Sequence, residues 1–103
     1  MQVTKRLRVR GRVQGVGFRV SLVARARAQG VAGWVRNRRD GSVEALVRAS
    51  SADVLEPLLA WVRHGPSAAR VDAVEVEDLP AGGDGLSGVE ADLPEGFESR
   101  PTV

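Results

Sequence analysis

Residues Lys5–Val13 alternate without a break, with Leu7, Val9, Gly11 and Val13 on one side and Arg6, Arg8, Arg10 and Arg12 on the other. Successive side chains of a strand point to opposite faces, so this segment calls for a sheet with one buried face and one wet face. Antiparallel sheets supply that arrangement. At 103 residues the chain fits one domain, since two halves would each bury too little surface to hold a core.

The period then switches along the chain. Gln14-Gly-Val-Gly17 breaks the strand, and Phe18–Gln29 has helical spacing, with Leu22, Val23 and Ala26 on one face and Gly30 as a stop. Val31–Asn37 and Ser42–Ala49 read as strands joined by a hairpin at Arg38-Arg-Asp-Gly41, where Asp-Gly suits a tight turn. A second helix carries Leu55, Leu58, Leu59 and Val62 as its apolar stripe, opened by a capping box at Asp53-Val-Leu-Glu56 and ended by Gly65-Pro66. Pro57 leaves its start unfixed. Arg70–Glu77 is a fourth strand. A Gly-rich loop from Pro80 to Gly85 precedes two candidates for a weak edge strand, Leu86–Ala91 and Phe97–Arg100. The first is favoured, giving a domain over residues 1–91 and a C-terminal tail over 92–103. The order βαββαβ plus an edge strand predicts an α+β sandwich of the ferredoxin-like split β-α-β type, an antiparallel sheet with two helices on one face.

Composition removes several chemistries. There is no cysteine and His64 is the only histidine, which excludes thiol catalysis and thiolate or histidine-rich zinc sites and argues against zinc chemistry. No apolar run reaches the roughly 18 residues of a membrane span, and Met1-Gln-Val-Thr-Lys-Arg6 lacks the apolar stretch of a secretory signal. The expected address is the cytoplasm, with no membrane partner. The net charge of +2 conceals an asymmetry: residues 1–50 carry twelve Lys/Arg against two Asp/Glu, and residues 51–103 three against eleven. A nucleic-acid face, an anion-attracting site or two halves paired in one sheet would each account for that split.

The segment with most chemical content is Gly11-Arg-Val-Gln-Gly-Val-Gly-Phe-Arg19. A strand runs into a Gly-rich turn and a helix start, where backbone amides and the helix dipole together attract an anion. An arginine in the first helical turn opposes that dipole, a conflict that a bound anion resolves; a tight turn with a solvent-exposed arginine is the other reading. No Gly-Lys-Ser/Thr closes a nucleotide-binding loop, and Val20 stands where a dinucleotide fingerprint needs its third glycine. At the end of the second strand, Asn37 is either a turn residue or an amide able to orient a water by donating and accepting.

These two segments, Gly11–Arg19 and Gly30-Val-Ala-Gly-Trp-Val-Arg-Asn37, resemble the paired signature of the acylphosphatase family. Asp40-Gly-Ser-Val-Glu44 is similar to the family's hairpin, and Gly65-Pro-Ser-Ala-Ala-Arg-Val71 to its entry into the fourth strand. The likeness runs from about Lys5 to Ala91. It implies a hydrolase that splits the carboxyl-phosphate bond of small acyl-phosphates with neither metal nor cofactor, acting as a monomer. On that resemblance Arg19 is the catalytic phosphate-binding arginine and Asn37 positions water. The amides of Gly15, Val16, Gly17, Phe18 and Arg19 form the phosphate cradle, with Ser42 auxiliary. Inorganic phosphate is then both product and inhibitor.

A nucleic-acid-binding module is the alternative, since RNA-recognition domains share this element order. It needs exposed aromatic residues on strands one and three, and Lys5–Val13 and Ser42–Ala49 contain none. No nucleic-acid partner is therefore expected. A regulatory domain like those attached to larger carbamoyl-transfer proteins is a further alternative.

Overall fold

A computed structural model describes residues 2–79 and 96–103. Its elements in chain order are β1 (Val3–Arg12), α1 (Phe18–Ala28), β2 (Ala32–Asn37), β3 (Val43–Ala49), α2 (Ala52–Val62), β4 (Arg70–Leu79) and β5 (Phe97–Arg100). They form one five-stranded sheet in the order β4-β1-β3-β2-β5 with two helices, the ferredoxin-like α+β sandwich expected from the sequence. Four strands pair antiparallel, but β5 runs parallel to β2, with Gly33 opposite Phe97 and Arg36 opposite Arg100. The sheet is thus mixed rather than wholly antiparallel.

Alternation fixes which way each strand faces. Leu7 and Val9 of β1, Val35 of β2 and Val43, Ala45 and Val47 of β3 enter the core. There they meet Phe18, Leu22 and Ala26 of α1 and Leu55, Leu58 and Val62 of α2. The other face carries the arginine stripe. Arg6 lies opposite Glu77 and Arg8 opposite Glu75 in the β1–β4 register, and Arg10 donates from Nε to Glu75 at 3.1 Å. The basic first half and acidic second half are therefore joined within one sheet, and cross-strand pairing accounts for part of the charge split.

Two expectations are corrected. The edge strand lies at Phe97–Arg100, inside the segment read as a tail, and Phe97 is buried in the core. One large apolar ring, set by parallel pairing to β2, outweighs the weak alternation around it. Leu86–Ala91 lies outside the described residues. The second correction concerns α2. Its N-cap is Ser51, not Asp53, and Pro57 stands well inside the helix rather than in its first turn. Proline removes one i→i−4 hydrogen bond, while Leu55, Leu58 and Val62 remain fully buried on the same face. Among the described residues no helix is long and apolar enough to cross a membrane.

Candidate active site

Between β1 and α1 the chain turns through Val13–Gly17. Gly15 and Gly17 both take left-handed backbone, with φ of 73° and 81°, and a Cβ on either would meet nothing within 4 Å. Glycine is needed there for the dihedral and not for space. Gly17 is also the N-cap of α1; no side chain caps this helix end and no acidic residue follows in its first turn. Its leading amides and the positive end of its dipole are left for a ligand. Phe18 anchors the turn: it is buried, its ring 5.4 Å from that of Trp61.

Arg19 follows directly, half-buried at the cleft. It has no carboxylate partner among the described residues. The cleft, about 220 Å³ in volume, is lined by Val13, Gly15, Gly17, Phe18, Arg19, Val20 and Asn37. Residues from the turn, from α1 and from the end of β2 thus converge. The Oδ1 atom of Asn37 is buried and has no hydrogen-bond partner. A buried amide oxygen left unpaired costs about 1–3 kcal/mol, which a bound water or ligand donor would recover. The Asn37 main chain is firmly held: it sits opposite Val43 in the β2–β3 ladder, and its carbonyl accepts from the Val103 amide at 3.1 Å.

Five of the residues expected at the site, Gly15, Gly17, Phe18, Arg19 and Asn37, share this cleft. Val16 is partly buried and packs against the core. Ser42 is buried in the β2–β3 hairpin and is not among the lining residues. Its hydroxyl donates to Asp40 Oδ1 at 2.6 Å and its amide to the same oxygen at 2.9 Å. These two hydrogen bonds hold the Asp40 carboxyl below its ordinary range against partial desolvation, with Arg8 and Arg10 adding to the effect.

Gln14 has a role that the sequence did not disclose. Its Nε2 donates to the carbonyls of Arg38 at 2.7 Å and Ser42 at 2.9 Å. One side chain therefore ties the turn that precedes Arg19 to the hairpin that follows Asn37. A glutamine in a Gly-rich turn offers paired donors, but its acceptors stand 24 and 28 residues further on, beyond any local pattern.

On the open sheet face, Glu44 is buried among arginines from two strands and the hairpin. Arg36 Nε and Arg38 Nη1 donate to its Oε1 at 2.8 and 2.9 Å, and Arg6 and Arg8 approach Oε2 at 3.9 Å. Burial pushes its carboxyl up, but the hydrogen bonds from Arg36 and Arg38 prevail and hold it below the ordinary value. Trp34 is buried beneath Arg36, whose guanidinium carbon is 4.6 Å from the ring centre. Among the described residues no three His, Cys, Asp or Glu side chains are grouped to share a metal ion.

Comparison with known proteins identifies the family. The acylphosphatase family model matches residues 5–86. An acylphosphatase from an Acidovorax species is 46% identical over 98% of this chain and 93% of its own length. One from Nitrobacter hamburgensis is 57% identical over 77% of this chain and 79% of its own. The crystal structure of acylphosphatase from Bacillus subtilis superposes with a TM-score of 0.77 at 32% identity, covering 97% of this chain and 99% of that one. The cleft, the fold and these relatives lead to one conclusion: this chain belongs to the acylphosphatase family.

Proposed function

We propose that this chain hydrolyses acyl-phosphates to a carboxylate and inorganic phosphate, with the turn amides and Arg19 holding the phosphoryl group and Asn37 orienting the attacking water. The observation carrying this reading is the single cleft lined by Gly15, Gly17, Arg19 and Asn37. The phosphoryl oxygens sit against the uncapped start of α1, and the planar guanidinium of Arg19 grips two of them at once. A water held on Asn37 Oδ1 attacks phosphorus in line with the acyl oxygen. The new P–O bond forms as the bond to the acyl oxygen breaks, its electron pair leaves with the carboxylate, and the water's protons pass to phosphate and solvent. Because a carboxylate leaves readily, positioning and charge stabilisation suffice.

The reading includes a cytoplasmic monomer inhibited by its own product, inorganic phosphate, which fits the same cradle. It needs no cofactor. The nucleic-acid alternative gains no support, since Trp34 is buried and the open sheet face offers no exposed ring among the described residues. The decisive experiment is hydrolysis of benzoyl phosphate in EDTA by the wild type and by Arg19→Lys. Arg19→Lys keeps the charge but loses the fork, so the wild type should turn over while the variant loses most of its activity. Equal rates for the two, or wild-type activity abolished by chelator and restored by a divalent metal, would defeat the proposal.

A further inference from the structure

Beside the phosphate cleft lies a second and larger hollow, about 440 Å³, lined by Arg19, Val20, Val23, Ala24, Arg27 and Ser99. It runs along the outer side of α1 towards β5 and joins the phosphate cleft through two shared residues, Arg19 and Val20. We infer that this groove receives the acyl group of the substrate, and that the enzyme favours acyl-phosphates with an apolar body over acetyl phosphate. The inference rests on the proposed roles of Arg19 and Asn37.

Three observations support it. The first is direction. Asn37 lines the cleft and not the groove, and in-line displacement puts the leaving carboxylate on the far side of phosphorus from the water. The acyl chain must therefore leave the cleft away from Asn37, and the groove, which meets the cleft at Arg19 and Val20 and does not reach Asn37, offers it that exit. The second is chemistry, because the stretch between the two arginines is Val20, Val23 and Ala24. Val20 is 77% exposed, a β-branched residue in a helix that gains little from the core and has a weak helix propensity. Contact with an apolar ligand gives it a use.

The third is construction. Arg27 Nε donates to the Phe97 carbonyl at 3.0 Å, so the side chain that closes the far end of the groove also ties α1 to β5. The groove wall opposite the helix is Ser99, on the strand that Phe97 anchors in the core. Both walls are thus fixed before substrate arrives, and little affinity is lost to ordering them.

The test is kcat/KM for acetyl, butyryl, hexanoyl and benzoyl phosphate. Each methylene seated in the groove should raise kcat/KM by up to about fourfold. The variants Ala24→Trp and Ser99→Tyr fill the groove from opposite walls at two exposed positions. Each should remove most of the gain for hexanoyl and benzoyl phosphate, at least about 10-fold for both, while acetyl phosphate turnover and inhibition by inorganic phosphate stay at wild-type values. A flat series in the wild type, or a slope that survives both substitutions, overturns the acyl groove and leaves the roles of Arg19 and Asn37 standing. Wild-type rates for Arg19→Lys on acetyl phosphate remove the underlying site instead.

Discussion

Arg36 donates from Nε to Oε1 of Glu44 at 2.8 Å, directly across the β2–β3 ladder and one step before Asn37. A carboxylate that is nearly inaccessible thus sits across the ladder from the residue before Asn37, and its charge is compensated by guanidinium groups that reach solvent.

Glu44→Gln should destabilise the domain by roughly 1–3 kcal/mol at pH 7, through loss of charged hydrogen bonds. The pH dependence follows from the lowered carboxyl pKa. A depressed folded-state value contributes stability that is present above the unfolded value, near 4.3, and lost as pH falls through the folded one. Thermal melts of the two proteins should differ at pH 7 and converge only as pH falls below the unfolded value and through the lower folded one. A difference that persists at the lowest pH would show that packing, not charge, is involved.

Gln14→Ala should leave the fold intact but lower kcat/KM by about 10- to 100-fold, because the turn and the hairpin lose their common tether. The two carbonyls each keep a backbone donor, Arg38 for Ser42 and Gly41 for Arg38, so the stability loss should be only about 1 kcal/mol. Gln14→Glu, equal in size but without the donor, should be no better. Rescue by glutamate would show that volume matters and the hydrogen bonds do not.

Asn37→Ala should lower kcat by about 10²–10³ and leave the inhibition constant of inorganic phosphate close to that of the wild type. Because its Oδ1 is unpaired in the free protein, the melting temperature should hold steady or rise. A large drop in stability, or equal losses of rate and phosphate affinity, would assign Asn37 to structure.

Arg19→Ala should abolish measurable turnover with little change in the melting temperature in phosphate-free buffer, since a cation in the first helical turn opposes the dipole. Inorganic phosphate should raise the melting temperature of the wild type and do much less for the variant, because stabilisation by a ligand follows its affinity. Equal shifts in the two proteins would place the anion elsewhere.

What was legible in the sequence was local. The alternation of Lys5–Val13, the glycines at 15 and 17 and the asparagine closing a strand are short-range features, and residues 18–28 announce their helix by spacing alone. What escaped depends on distant partners. Phe97 reads as an isolated aromatic in a weakly patterned stretch until β2 aligns it over the core. Glu44 falls on the wet face by alternation, yet side chains from β1, β2 and the hairpin bury it. Pro57 argues against a helix interior, and the apolar stripe around it overrides that preference.

The position of β4 has a further consequence for the protein in concentrated solution. This ten-residue strand forms one margin of the sheet, and its outer row of amides and carbonyls faces no other strand among the described residues. Such a margin is a template on which another polypeptide can add itself and begin a fibril. Here Asp72, Glu75, Glu77 and Asp78 each keep more than half of their side-chain surface in water. Each is paired with a cation, Lys5, Arg6 and Arg10 of β1 or Arg70 of β4 itself, so an added strand would have to strip water from a row of charged pairs, and that cost guards this margin against self-association. Neutralising that row should therefore be felt first as precipitation on storage, well before any loss of catalysis.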